Sequence, residues 1–194
     1  MQIYDISREL FSAKVYPGDP IPAYERVLSL ENGAVCNLSR IEMGSHSSTH
    51  LDAPLHFVPN GKSVEKIDLE KCVGECRVVS LQGSVEAGNL MPLLDSGCRK
   101  LLIRGEIELG VDAARAIAAS GVELLGVEGF TVGNPETSEA IHRILLEKEV
   151  VIMEALSLQE IQDGVYFLCA LPLKLADLDG SPCRAILISN NLTE

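Results

Sequence analysis

The sequence predicts an α/β domain with a mixed sheet. Three observations carry this. Gly and Pro cut the chain into short elements. Two early strands are joined by a hairpin turn. Later strands, rich in Val, Leu and Ile, alternate with helix-patterned segments. No internal repeat, low-complexity stretch or linker interrupts the chain, so residues 1–194 are expected to form a single domain.

Residues 2–7 read as the first strand, and Val15-Tyr16-Pro17-Gly18-Asp19-Pro20 as a turn or loop. Residues 24–30 and 34–43 read as strands with a hairpin turn at Asn32-Gly33. Strands are expected at 76–81, 100–104 and 122–127. The segment 111–120 holds Ala113-Ala114-Arg115-Ala116-Ile117-Ala118, mostly good helix formers, and Gly121 is placed to stop the helix. Residues 138–148 carry Ile141, Ile144 and Leu145 at helical spacing. Strands at 150–154, 164–171 and 184–189 complete the list.

Composition narrows the function classes. Apolar residues make up 46% and charged residues 23%, an ordinary globular balance. The formal net charge of -12 is spread along the chain without a basic patch, which argues against a nucleic acid or an anionic membrane as partner. No apolar run reaches the roughly 18–20 residues of a spanning helix. The N-terminus lacks a basic n-region and an apolar h-region, so it reads as mature cytoplasmic protein rather than a signal peptide. The six cysteines are then expected to be reduced, at core or boundary positions.

All four histidines fall into one metal-site pattern. Three sit in the run His46-Ser47-Ser48-Thr49-His50-Leu51-Asp52-Ala53-Pro54-Leu55-His56, and His142 lies twelve residues before Glu154. Neutral imidazole and carboxylate suit a divalent ion of the zinc or manganese type. If the run is extended, His50, Asp52 and His56 share one parity and one face, while Leu51, Ala53 and Leu55 take the other. Pro54 argues for an edge strand or an extended loop. A tight turn through Ser47-Ser48-Thr49 could return His46 to the same ion. Glu154 follows the apolar run Val150-Val151-Ile152-Met153, and a carboxylate so placed needs a partner.

The run resembles H-x-G-T-H-x-D-x-P-x-H, the hallmark of the cyclase family, whose best-known members are bacterial kynurenine formamidases (arylformamidases) and whose relatives include isatin hydrolases. The likeness extends over nearly the whole chain. Asp5-Ile6-Ser7 with Tyr16-Pro17-Gly18-Asp19 is similar to the N-terminal signature. Ile141-His142-Arg143-Ile144-Leu145-Leu146 with Glu154 is similar to a second metal-site segment. Leu171-Pro172-Leu173-Lys174-Leu175 with Asp179-Gly180-Ser181-Pro182-Cys183-Arg184-Ala185 is similar to the C-terminal signature.

The resemblance implies a swivelling β/β/α domain, usually dimeric or tetrameric. It implies one or two zinc or manganese ions. The first would be held by His46, His50 and Asp52; Asp52 would bridge to a second, held also by His142 and Glu154. His56 would be the catalytic acid/base, and Tyr16 would touch substrate. Two departures stand out. Ser48 replaces the family's usual glycine, which provides a backbone shape serine tolerates less well. Gly126-Val127-Glu128-Gly129-Phe130-Thr131 stands where formamidases tend to carry an Ile-Asp-Thr type segment.

Other motifs carry less. Asn60-Gly61-Lys62-Ser63 has His56 where a phosphate loop needs its first glycine. Asp177-Leu178-Asp179-Gly180 has its glycine too early for a calcium loop and reads as a turn. No G-x-S-x-G elbow is present. The leading expectation is a metal-dependent hydrolase cleaving an amide of a small molecule, as arylformamidases convert N-formylkynurenine to kynurenine and formate. A second is a hydrolase that opens a cyclic amide or lactone. A third, from another class, is a non-catalytic protein whose metal site is structural and closed by four protein ligands, where a catalytic site keeps a position open.

Overall fold

The computed structural model describes residues 1–189; residues 190–194, included in the expected domain, lie outside the described residues. In chain order the elements are β1 (Gln2–Asp5), β2 (Ala23–Leu28), β3 (Leu38–Glu42), β4 (His50–Asp52), β5 (Val73–Ser80), β6 (Gly83–Val85), α1 (Ala87–Leu94), β7 (Lys100–Arg104), β8 (Ile107–Leu109), α2 (Val111–Ser120), β9 (Leu124–Val127), α3 (Ser138–Leu146), β10 (Val151–Glu154), β11 (Gly164–Cys169), β12 (Gly180–Pro182) and β13 (Ile186–Ser189).

Nine strands form one mixed sheet in the order β1-β13-β11-β5-β7-β9-β10-β4-β12. The centre, β5-β7-β9-β10, is parallel; the flanks are antiparallel. The central strands are apolar runs because both of their faces are covered. Leu102, Leu124, Val151 and Met153 enter one core with Leu51, Leu168 and Leu187. Leu101, Ile103, Leu125, Val127 and Ile152 enter the other, against Leu90 of α1, Ile117 of α2 and Ile141 and Leu145 of α3. This is the expected mixed α/β architecture.

Helix α2 ends where expected, with Gly121 left-handed at φ +88°. Helix α1 has no strong sequence signal, because Gly88 and Pro92 both lower helix propensity. It is started by a reciprocal pair: the Glu86 side chain accepts from the backbone of Asn89, and the Asn89 side chain accepts from the backbone N–H of Glu86. The short strands β6, β8 and β12 also go beyond what the sequence announces. The early hairpin forms, but its connection is longer than a two-residue turn at Asn32-Gly33. A 3-10 turn spans Leu30–Asn32, and Gly33 closes it at φ +81°.

The extended segment from His50 is shorter than its alternation suggests. β4 stops at Asp52, and a 3-10 turn follows over Pro54–His56. β4 is also interior, paired with β10 and β12, rather than an edge. Pro54 is tolerated because the strand has ended before it.

Candidate metal centre

Strand register builds the site. In the antiparallel β4/β10 pair His50 lies opposite Glu154 and Asp52 opposite Ile152. Side chains two apart share a face, so His50, Asp52 and Glu154 project together. Ile152 on that face packs in the core that holds α3, and α3 turns His142 inward. On the other flank β12 sets Gly180 opposite Asp52, with Asp179 just before it. A Cβ at Gly180 would stand 2.6 Å from His46 Cε1 and 2.8 Å from the Leu51 carbonyl oxygen, so only glycine fits there.

The loop before β4 brings His46 back. Thr49 anchors it, its hydroxyl donating to the Ala155 carbonyl at 2.7 Å and accepting from the Arg8 N–H at 2.9 Å. Ser48 sits at φ +57°, the left-handed region that favours glycine. This is the physical content of the glycine usual at that position. Its hydroxyl offsets part of the strain by donating to the Arg8 carbonyl at 2.9 Å.

Two histidines are aimed by backbone carbonyls. His50 Nδ1–H donates to Ser48 O and His142 Nδ1–H to Ser138 O, each at 2.7 Å. That leaves Nε2 of each ring as the atom facing the site. His50 Nε2 stands 3.3 Å from Asp52 Oδ1 and 3.6 Å from Glu154 Oε2. His142 Nε2 stands 3.5 Å from Asp52 Oδ2 and 3.3 Å from Glu154 Oε1. His46 Nδ1 lies 2.8 Å from Asp52 Oδ1.

These residues fit a divalent ion. His50 Nε2 and Asp52 Oδ2 are buried without a hydrogen-bond partner, a cost that a native protein rarely carries without a purpose. Ligand atoms of His50, Asp52 and Glu154 lie within 4.8 Å of one another, as do those of His46, Asp52 and His56. Asp52 is common to both groups. The grouping pairs the residues differently from the family pattern, placing His56 beside His46 and leaving His142 at the edge of the first set.

Electrostatics separates the histidines. Burial lowers the His46 pKa, but Asp52 and Asp179 outweigh it and raise it to about 9. Burial likewise opposes His142, and Asp52 with Glu154 raises it to about 10. His50 is raised too, chiefly by Asp52 against its burial. His56 alone is lowered: burial is the largest cause, joined by the charges of His46 and His142. Asp52 is held well below its usual range despite burial, by the His142, His46 and His50 imidazoles gathered around its carboxylate. Glu154 is pushed up by burial and by the Asp52 charge, so the two carboxylates part in acidity.

A measurable consequence follows for metal uptake. Without metal, His46 and His142 carry protons at pH 7.5, below pKa values of about 9 and about 10. A ligand imidazole must be neutral, so uptake displaces them. Zinc binding at pH 7.5 should release more than one proton per chain, read by calorimetry in buffers of different ionisation enthalpy. Apparent affinity should keep rising as pH rises towards about 9. Binding without proton release would contradict this electrostatic picture.

The cluster floors a cavity of about 230 Å³ whose wall includes Tyr16, Phe57 and Phe130. His56 lines it, at the end of the turn after β4. Glu128, in the departing segment, turns away: its carboxylate accepts from the N–H groups of Gly105 and Leu158 at 2.7 and 2.8 Å. Phe130 and Thr131 of that segment face the cavity instead. Sequence reasoning missed Asp179, whose Oδ2 lies 2.8 Å from His46 Nε2 and 3.3 Å from His56 Nδ1. The available signal was its place at the head of the C-terminal signature, masked by a turn reading. Cys72 and Cys76 are buried and Cys36 is exposed, a departure from the expected core or boundary position; all six thiols are free. Among the described residues no helix is long and apolar enough to cross a membrane.

A mixed α/β sheet with a buried histidine–carboxylate cluster at the floor of an open cavity defines an enzyme of the metal-dependent hydrolase class. The sequence model of the family described as "Putative cyclase" matches residues 4–101. The chain is 32% identical to the kynurenine formamidase of Erythrobacter litoralis (strain HTCC2594), over 96% of this chain and 93% of that one. It belongs to the cyclase family. Among solved structures, a predicted metal-dependent hydrolase from Bacillus stearothermophilus superposes with TM-score 0.81 at 27% identity, covering 96% of this chain and 97% of the other. Isatin hydrolase A from Labrenzia aggregata shares the fold, with TM-score 0.81 at 20% identity over 96% and 93% of the two chains.

Proposed function

We propose that this enzyme hydrolyses the formamide of a small aryl substrate, converting N-formylkynurenine to kynurenine and formate. The observation that carries the reading is the 32% identity to a kynurenine formamidase along 96% of the chain. The site supplies suitable chemistry. His46, His50, Asp52, His142 and Glu154 would hold one or two divalent ions, zinc or manganese. When bound, such an ion acidifies water and polarises a carbonyl.

His56 is the proton carrier in this reading. It lines the cavity and is the histidine whose pKa is lowered, so it is neutral and able to accept a proton near pH 7. It takes the proton of the water that adds to the formyl carbon. As the C–N bond breaks, it returns that proton to the leaving nitrogen. Tyr16, Phe57 and Phe130 offer apolar surface to the aryl ring. Hydrolysis assays against N-formylkynurenine and a panel of cyclic amides test the substrate. Turnover of the formamide well above the cyclic amides is expected; the reverse order would replace the reading with ring opening.

The working unit is a homodimer or homotetramer in this proposal. Every residue of the β2/β3 ribbon is exposed, including Tyr24, Val27, Leu38 and Ile41. A two-stranded ribbon is marginal alone, and exposed apolar strands invite cover. A second copy suits it: the strands carry Glu25 and Glu42 against Arg26 and Arg40, a balanced charge in a chain of net -12. Light scattering should give two or four times the mass of one chain. The Val27→Asp/Ile41→Asp variant should fall to one chain or a smaller assembly, and an unchanged mass would rule out this ribbon as the interface.

A further inference from the structure

One carboxylate reaches two histidines. Asp179 Oδ2 lies 2.8 Å from His46 Nε2 and 3.3 Å from His56 Nδ1, while Oδ1 accepts from the Ser45 hydroxyl at 3.0 Å. Its own backbone is fixed, because the Asp179 carbonyl accepts from the Ala53 N–H at 2.9 Å. The His46 and His56 rings stack beside it with centroids 3.9 Å apart. Among the described residues Asp179 is the hydrogen-bond partner of the His56 ring. An imidazole with no partner can present either nitrogen and either tautomer; a carboxylate at one nitrogen selects both.

We propose that Asp179 is a positioning residue: it accepts the Nδ1–H of His56, so that Nε2 is left bare as the atom that moves the proton, and it steadies the stacked His46 ring. The role assigned to His56 rests on the proposed hydrolysis; the tautomer it is held in does not. The same geometry orients the general base of other hydrolases, where the carboxylate acts through the histidine and not on the substrate. Gly180 allows Asp179 this approach, since any side chain there would strike His46.

The test has a spectroscopic arm and a kinetic arm. In zinc-loaded protein with ¹⁵N-labelled histidine, long-range ¹H–¹⁵N correlation should show His56 with Nδ1 protonated and Nε2 bare, assigned by its loss in His56→Ala. Asp179→Ala should shift that ring towards a mixture of tautomers, and Asp179→Asn, which keeps an acceptor oxygen, should restore part of the signal. In turnover, Asp179→Ala should lower kcat about 10- to 100-fold, the scale for removing such a partner, with KM changed only a few-fold and zinc retained. In a His56→Ala background the same change should cost less than about threefold, because residues acting as a unit are not additive. An unchanged His56 tautomer, fully additive losses, or loss of zinc in Asp179→Ala would overturn the proposal. A wild-type protein inactive on the formamide would sink the proposed function and leave the tautomer result to decide this one.

Discussion

Asp52→Ala should lose metal and activity together. Asp52 is fully buried on β4 and lies within reach of His46, His50 and His142. It is the residue common to both ligand groups, and its Oδ2 has no hydrogen-bond partner. Removing it strips the shared anion from the middle of the cluster and leaves Glu154 as the carboxylate facing His50 and His142. Metal-ion assistance contributes several kcal/mol to such hydrolysis, and each ~1.4 kcal/mol is tenfold in rate. Turnover should therefore fall by roughly a thousandfold or more, with metal content near zero by elemental analysis. Asp52→Asn, which keeps the shape, guards against simple misfolding and should show the same joint loss. Wild-type metal content in both variants would remove Asp52 from the site.

His56→Ala should separate the two properties. His56 stands at the cavity wall on the turn after β4, less buried than His50 or His142, and its pKa moves opposite to theirs. As a proton carrier it should leave most of the metal in place and take about a hundredfold or more from kcat. Its nearness to His46 and Asp52 makes the metal measurement decisive. If metal leaves with His56, it is a ligand rather than the base; if the rate is unchanged, it is neither.

Much of this was legible in the chain. The buried strands β7, β9 and β10 announce themselves as apolar runs, and α2 and α3 as helical periodicity with a glycine stop at Gly121. The cluster itself was readable because three histidines and Asp52 fall in one run, and because Glu154 closes an apolar strand. What was not legible depends on distant pairing. β4 reads as an edge because of Pro54, yet β10 and β12 cover it on both sides, and neither partner is near in sequence. Helix α1 hides behind Gly88 and Pro92. Asp179 looks like a turn residue, and it is one; its second role exists only because β12 lies against β4, more than a hundred residues away in the chain. Ser48 shows the opposite case: a family glycine pointed to a special backbone, and the left-handed φ is there.

The central claim, that a bound divalent ion in this cluster drives amide hydrolysis, is tested most directly by removing and returning the metal. N-formylkynurenine hydrolysis should be measured on the protein as purified, after exhaustive chelation, and after adding back zinc or manganese, with metal content followed in parallel. Activity should vanish with the metal and return in proportion to the metal regained. Full activity in the metal-free protein, or a metal-loaded protein that hydrolyses no amide, would contradict it.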